Sequence, residues 1–215
     1  MLAVVVAGGD LALSARALNV AAAADLVIAA DSGARHLAAI GRRADVLLGD
    51  FDSLRPDAAV DAATVLSFPT AKDQTDTHLA VREAHARGAT RIVLLGGMRG
   101  PRLDHGAANL LLLAADEFRG LDLRAIDGED ELRAVRSEAT IDGTTGDLVT
   151  LLALTRTASG VTTAGLLYPL NEDTLRRGDS RGVSNELAGA QAEVRLSRGV
   201  LLLVHRAGGD PNRLA

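Results

Sequence analysis

The chain has 215 residues and a mass of 22.2 kDa, enough for one large core or two smaller domains. It contains no cysteine, which excludes disulfides, thiolate metal sites and a cysteine nucleophile, so any metal must sit on oxygen or imidazole. A net charge of -5 without a Lys/Arg block, and an aromatic content of only 2%, argue against a nucleic-acid surface.

Along the first 127 residues, short β-branched runs alternate with Ala/Leu/Arg stretches of helical period. "LAVVVAGGD", "DLVIAAD", "DVLLGD", "TVLSFP", "RIVLLGG" and "LDLRAID" read as strands, nearly continuous in apolar residues as buried parallel strands are. "SARALNVAAAA", "ARHLAAIG", "DAAVDAA", "TDTHLAVREAHARG" and "LDHGAANLLLLAADEF" read as the intervening helices. The alternation predicts an α/β domain over 1–127, with a doubly wound, mostly parallel sheet and helices on both faces. From residue 128 the helical period disappears. "ELRAVRS", "GDLVTLLALT", "GVTTAGLLY", "AQAEVRLS" and "VLLLVHR" predict an all-β domain, a sandwich or half-barrel, over 128–215, ending in a frayed "GGDPNRLA". No apolar run approaches the roughly 20 residues of a membrane span, and the N-terminus lacks a basic region. The expectation is a soluble, cytoplasmic protein with no membrane partner.

Ligands of open parallel sheets bind outside the carboxyl ends of the strands, so the residues just after each apolar run carry the most information. Asp10, Asp31, Asp50 and Asp52 occupy such places, as do Gly96 and Gly97. "PTAKDQTD" (69–76) and "RLDH" (102–105) each open a predicted helix after a strand. Asp31, Asp50, Asp52, Asp73, Asp76 and Asp104 should therefore crowd one edge, an arrangement that demands a cation. Hard carboxylate oxygens suit Mg²⁺, which usually takes one or two carboxylates plus substrate phosphates. Helix caps and turn formers are the competing explanation for each acid taken singly.

Lys72 is the single lysine among 23 basic residues, a compact ammonium in an arginine-rich chain. With Thr75 and the start of the helix behind it, it can hold a phosphate chain. No G-x-x-x-x-G-K-[ST] or G-x-G-x-x-G is present, so the phosphate device is not a P-loop. In "GGMRGPRLDH", Gly97 permits close approach of a ligand, and Arg99 and Arg102 offer donors to phosphate oxygens. His105 reads as structural, and His36, His78, His85 and His205 as surface or cap residues.

Taken in order, "ADSGARHL", "GDFDSL", "PTAKDQTDTHLA", "GGMRGPRLDH" and "VSNEL" resemble thiamine pyrophosphokinase over nearly the whole chain. The resemblance implies transfer of the diphosphoryl unit of ATP, with Mg²⁺, to the hydroxyethyl group of thiamine, yielding thiamine diphosphate and AMP. It also implies a homodimer with the thiamine site at the subunit interface. Asp50 and Asp52 then form the metal and phosphate centre, with Asp76 as a further metal ligand and Asp104 as a further catalytic acid. Asp31, Lys72, Asp73, Thr75, Gly97 and Arg102 match ATP contacts. Ser184 and Asn185 match a thiamine-binding Ser-Asn pair, and Tyr168 stands where some relatives carry a tryptophan. His78, Pro101 and Ser32 depart from the common pattern without removing a ligand.

Three rival readings compete. "LLGDFDSL" approaches the Asp-x-Asp-x-Thr of haloacid dehalogenase-like phosphatases, but two strands precede it and Lys72, Asp73 and Asp76 fall too close together. A diphosphokinase acting on a hydroxymethylpterin would share the catalytic acids; "GVTTAGLLYPL" and "RGVSNEL" instead match a thiamine-binding half. A non-catalytic nucleotide-binding protein would hold Mg-ATP without consuming it.

Overall fold

The computed structural model describes residues 1–51 and 62–209. The chain divides into two compact units, Met1–Gly128 and Glu129–Ala215. In the first, strands β1 (Leu2–Val6), β2 (Leu26–Ala30), β3 (Ala44–Gly49), β4 (Ala62–Ser67), β5 (Arg91–Leu95) and β6 (Asp122–Asp127) lie in the order β6-β5-β1-β2-β3-β4. Every pairing among them is parallel. The chain runs outward from β1 to β4, then returns to the other side of β1, which places a topological switch point between β1 and β5.

Alternation along each buried strand sends side chains to two faces. Leu2, Val4 and Val6 of β1, with Val27, Ala29, Leu47, Val93 and Leu95, pack against Ala17 and Ala21 of helix α1 (Ala15–Ala23). Small residues on α1 let it lie close to the sheet, and Ser14 caps it by accepting from the Ala17 N–H at 3.2 Å. Helix α2 (Asp76–Ala86) buries Thr77, Ala80, Val81 and Ala84 and packs on β1, β2 and β3, outside that cluster. The third helix, α3, spans Leu103–Leu112.

Two expected helices differ. "ARHLAAIG" instead lies in a 3-10 turn over Asp31–His36 followed by hydrogen-bonded turns, because Gly33 is pressed against β1. A Cβ there would stand 2.1 Å from the Val6 carbonyl oxygen, so the backbone is held by close approach to the sheet. In "DAAVDAA", residues 57–61 lie outside the described residues, and Ala62 and Ala63 open β4.

The second unit contains two antiparallel sheets. In one, β7 (Asp130–Val135), β14 (Leu201–Arg206), β9 (Leu148–Ala153) and β12 (Asn185–Glu186) are neighbours in that order. The other runs β8 (Glu138–Asp142), β13 (Gln191–Arg195), β10 (Thr157–Ala164) and β11 (Asp173–Arg176). Val149, Leu151, Leu201 and Leu203 from the first sheet share one core with Ile141, Val161, Leu175 and Val194 from the second, which makes the unit a sandwich. β8, β11 and β12 escape the sequence pattern because they are short or charged. The end of the tail, residues 210–215, lies outside the described residues.

His205 is not a surface residue. It sits in β14 between two partner strands, 4% exposed, with Nε2 3.0 Å from Asp147 Oδ2. Asp147 also accepts from the Thr144 N–H, the Thr144 hydroxyl and the Gly208 N–H, all within 2.9–3.0 Å. Burial pushes its pKa up, but these donors and His205 outweigh burial and hold the carboxyl below its ordinary value. The resulting stabilisation is present above the unfolded carboxyl value of 3.8 and is lost as pH falls through the lower folded one. Asp147→Ala, which strips this hub and strands His205, should lower stability by about 3 kcal/mol in urea denaturation at pH 7. The gap from the parent should narrow below pH 3.8.

Candidate active site

The loops after the parallel strands build a cavity of about 450 Å³ in the first unit. Its walls come from Gly8 and Gly9 after β1, Asp31 and Ser32 after β2, Lys72 to Thr77 ahead of and opening α2, and Gly97 with Arg99 to Arg102 after β5. It therefore stands at the carboxyl edge where the strand order reverses.

Lys72 organises the acids. Its Nζ donates to Asp50 Oδ2 at 3.0 Å and lies 3.3 Å from Asp76 Oδ1, an ion-pair contact outside hydrogen-bond geometry. The side chains of Lys72 and Asp50 are only 13% and 11% exposed. Burial disfavours the ammonium, but Asp50 and Asp76 outweigh it and raise the Lys72 pKa. For Asp76, burial is the largest influence and raises the carboxyl; Lys72 opposes it, while the charges of Asp50 and Asp31 push it further up. Asp31 has a positive φ of 46°, a conformation Asp tolerates better than most, and its Oδ1 is buried without a hydrogen-bond partner. Two carboxylates thus share one ammonium, and the charge of a third, Asp31, acts on Asp76.

Beside them Thr75 caps α2, its hydroxyl accepting from the His78 N–H at 3.2 Å, so the positive end of the helix dipole faces the cavity wall. Asp73, Gly97 and Arg102 also line the cavity. Asp104 does not. It is 64% exposed and tied in a two-bond pair to the Arg102 guanidinium, whose hydrogen bonds hold its carboxyl at about 2. Asp52, the remaining expected metal ligand, lies outside the described residues.

Several wall residues carry a supporting role that the sequence reading missed. The Gly8-Gly9 turn is clasped by Arg35, which donates to both carbonyls at 2.7 and 3.0 Å, and by His36 Nε2, 2.7 Å from the Gly9 carbonyl. His36, expected at the surface or in a cap, thus contacts the wall. A Cβ on Gly9 would meet the Arg99 carbonyl oxygen at 2.3 Å, so only glycine lets the two loops touch. Buried Asn109 donates to the Gly97 carbonyl at 2.8 Å. The Gly-Gly pair directly after β1 was the visible signal for this turn; its clasp partners lie 26 or more residues away and carry none.

Among the described residues no three Asp, Glu or His side chains stand close enough to hold a metal ion by themselves. The donor set nevertheless suits a hard cation: Asp50 and Asp76 already share one in Lys72, and Asp31 has an unpartnered buried oxygen.

A family model described as thiamin pyrophosphokinase, catalytic domain, matches residues 17–124. A second, described as thiamin pyrophosphokinase, vitamin B1 binding domain, matches residues 135–201. The chain belongs to the thiamin pyrophosphokinase family. It is thereby a transferase, a thiamine diphosphokinase. A thiamine pyrophosphokinase of Bacillus subtilis is 27% identical over 164 residues, spanning 73% of this chain and 75% of that protein. The solved thiamin pyrophosphokinase of Geobacillus thermodenitrificans superposes with a TM-score of 0.83 at 26% identity, with all of both chains covered. That of Candida albicans, at 14% identity, shares the fold with a TM-score of 0.76 over 95% of this chain and 88% of its own.

The second unit of this family member contains its own cavity, of about 280 Å³, lined by Leu151, Tyr168, Leu170, Arg181, Val183 and Asn185 among others. Tyr168 and Asn185 are therefore brought together. Ser184, with a positive φ of 59°, sits between the wall residues Val183 and Asn185, and its N–H donates to Thr150 Oγ1 at 3.1 Å.

If Lys72 stands where a cation is needed, Lys72→Met should bind Mg²⁺ more tightly than the parent in the absence of nucleotide. An increase of about tenfold is expected by titration calorimetry. Unchanged or weaker binding would contradict that role.

Proposed function

We propose that the first unit binds Mg-ATP at the Lys72 cluster and that the alcohol of thiamine attacks its β-phosphorus. The observation that carries this reading is Lys72 pairing with both Asp50 and Asp76 where Lys72, Asp76 and Asp31 line the switch-point cavity, beside the start of α2. Residues 1–127 take the catalytic role and 128–215 the thiamine-binding role. Asp50 and Asp76, with Asp52 close by in sequence, would hold Mg²⁺, which when bound neutralises phosphate oxygens and lets a polyanion enter an acidic site.

The chain's own groups account for the remaining steps. Lys72, Arg102, Thr75 and the free N–H groups at the start of α2 bind phosphate oxygens, and Gly97 leaves room for the chain of phosphates to lie against backbone. Asp31 and Asp73 complete the ATP contacts. As the hydroxyethyl oxygen bonds to the β-phosphorus, the bond to the α,β-bridging oxygen breaks and AMP leaves with the developing charge. The hydroxyl proton passes to a carboxylate. Asp76, which lines the cavity, is placed for that role, whereas Asp104 is not. Asp104, held near 2 by Arg102 and turned to solvent, suits orientation of that guanidinium.

The acceptor lies in the second-unit cavity at Tyr168, Ser184 and Asn185. The exposed apolar side chains of Leu167, Tyr168 and Val183 around it support a homodimer in which a second copy covers the site. Dependence on ATP supports a cytoplasmic location.

Incubation with ATP and thiamine should yield AMP and thiamine diphosphate in equal amounts with no free phosphate, and a hydroxymethylpterin should not replace thiamine. Phosphate release would overturn the reading. Asp50→Ala and Asp76→Asn should each lower turnover by about 10²-fold or more with unchanged circular dichroism. Near-parental turnover in either would remove that residue from the mechanism.

A further inference from the structure

We infer that Asn185 is a positioning residue whose side chain holds the backbone of Tyr168, and that it acts on the acceptor through Tyr168 instead of touching it. The inference rests on the second-unit cavity being the thiamine site.

The segment from Gly165 to Tyr168 runs antiparallel to Asn185–Ala188. Leu166 bridges Leu187, the Leu167 N–H donates to the Glu186 carbonyl at 2.9 Å, and the Ala188 N–H donates to the Gly165 carbonyl at 2.9 Å. At Tyr168 the Asn185 side chain adds a further rung. Its Oδ1 accepts from the Tyr168 N–H at 3.0 Å, and its Nδ2 donates to the Tyr168 carbonyl at 2.7 Å. This reproduces the paired N–H and C=O exchange of an antiparallel strand with one amide side chain.

The same Oδ1 also accepts from the Glu186 N–H at 2.9 Å. Two N–H donors on one atom and a carbonyl on the other fix the orientation of the amide, because a flipped group would set donors against donors. Both acceptor sites of Oδ1 and one of the two Nδ2 hydrogens are then in use. Asn185 has a single N–H left, too little for a principal ligand. Tyr168, by contrast, is 64% exposed and lines the cavity, and Pro169 after it stiffens the chain. An aromatic ring on an exposed loop needs its backbone held if it is to meet a ligand at low entropic cost. Asn185 supplies that hold.

The composition provides a direct readout. Tyr168 is the single tyrosine and the chain has no tryptophan, so intrinsic emission excited above the phenylalanine band reports this ring alone. In Asn185→Ala without thiamine, Tyr168 anisotropy should fall and collisional quenching should rise, while the urea midpoint stays near the parent's. The thiamine KM should rise about tenfold with the ATP KM unchanged. Asn185→Asp keeps both acceptor bonds but loses the donor to the Tyr168 carbonyl, so it should fall between. Tyr168→Ala should raise the thiamine KM similarly, and the double variant should lose no more than either single one.

A raised KM with parental Tyr168 anisotropy, or fully additive losses, would make Asn185 a direct ligand and overturn the inference. If thiamine leaves the parent's emission unchanged and Tyr168→Ala leaves the thiamine KM unchanged, the assignment of the cavity fails instead. In that case the anisotropy of Asn185→Ala still decides whether Asn185 holds Tyr168.

Discussion

Like charges held close together in a partly dry crevice govern the first unit. Asp50, Asp31 and the helix-opening Asp76 come from three segments, and burial together with the charges of Asp50 and Asp31 raises the cost of ionising Asp76. A single ammonium, Lys72, answers that repulsion. An arginine would spread its charge over a planar fork and favour a two-bond pair with one carboxylate, as Arg102 makes with Asp104. The compact lysine can stand between two acids at 3.0 and 3.3 Å. In the proposed function, the same concentration of negative charge that needs Lys72 would draw a divalent cation and, through it, a polyphosphate.

The sheet makes that concentration possible. Parallel strands deliver their carboxyl ends to one edge, and the reversal of strand order between β1 and β5 opens a crevice there. The loops are then locked by bonds that do not touch the acids: Arg35 and His36 on the Gly8-Gly9 turn, Asn109 on Gly97. Rigid support of this kind is what catalysis by positioning and electrostatics requires, since neither survives a loose frame.

The second unit solves a different problem. Its cavity is lined by Leu151, Leu170 and Val183 with Tyr168, Arg181 and Asn185, and its walls combine turn residues with Leu151 of β9 and Asn185 of β12. The shared core between two sheets and the buried Asp147-His205 pair hold those turns on a firm base. The two units thus present cavities of different character, one half-apolar and one charged.

Much of this was legible in the amino-acid order. Buried parallel strands advertise themselves as unbroken apolar runs, and the acids placed just after them mark the sheet edge where a ligand binds, which is why Asp31, Asp50 and Asp76 could be named beforehand. Local patterns also disclosed the cap at Thr75 and the change from α/β to β near residue 128. Only the tertiary structure decided which side chains meet. Asp104 follows a strand as the others do, yet Arg102 two residues away captures it and turns it to solvent. His205 carries no local mark of burial; its partner Asp147 is 58 residues distant. Asn185, expected to bind substrate, also pairs its amide with the Tyr168 backbone, 17 residues away, which no local pattern signals. The physical reason is common to all three: periodicity and turn chemistry act over a few residues, whereas the pairing of a polar side chain is settled by whichever partner the folded chain brings within 3 Å of it.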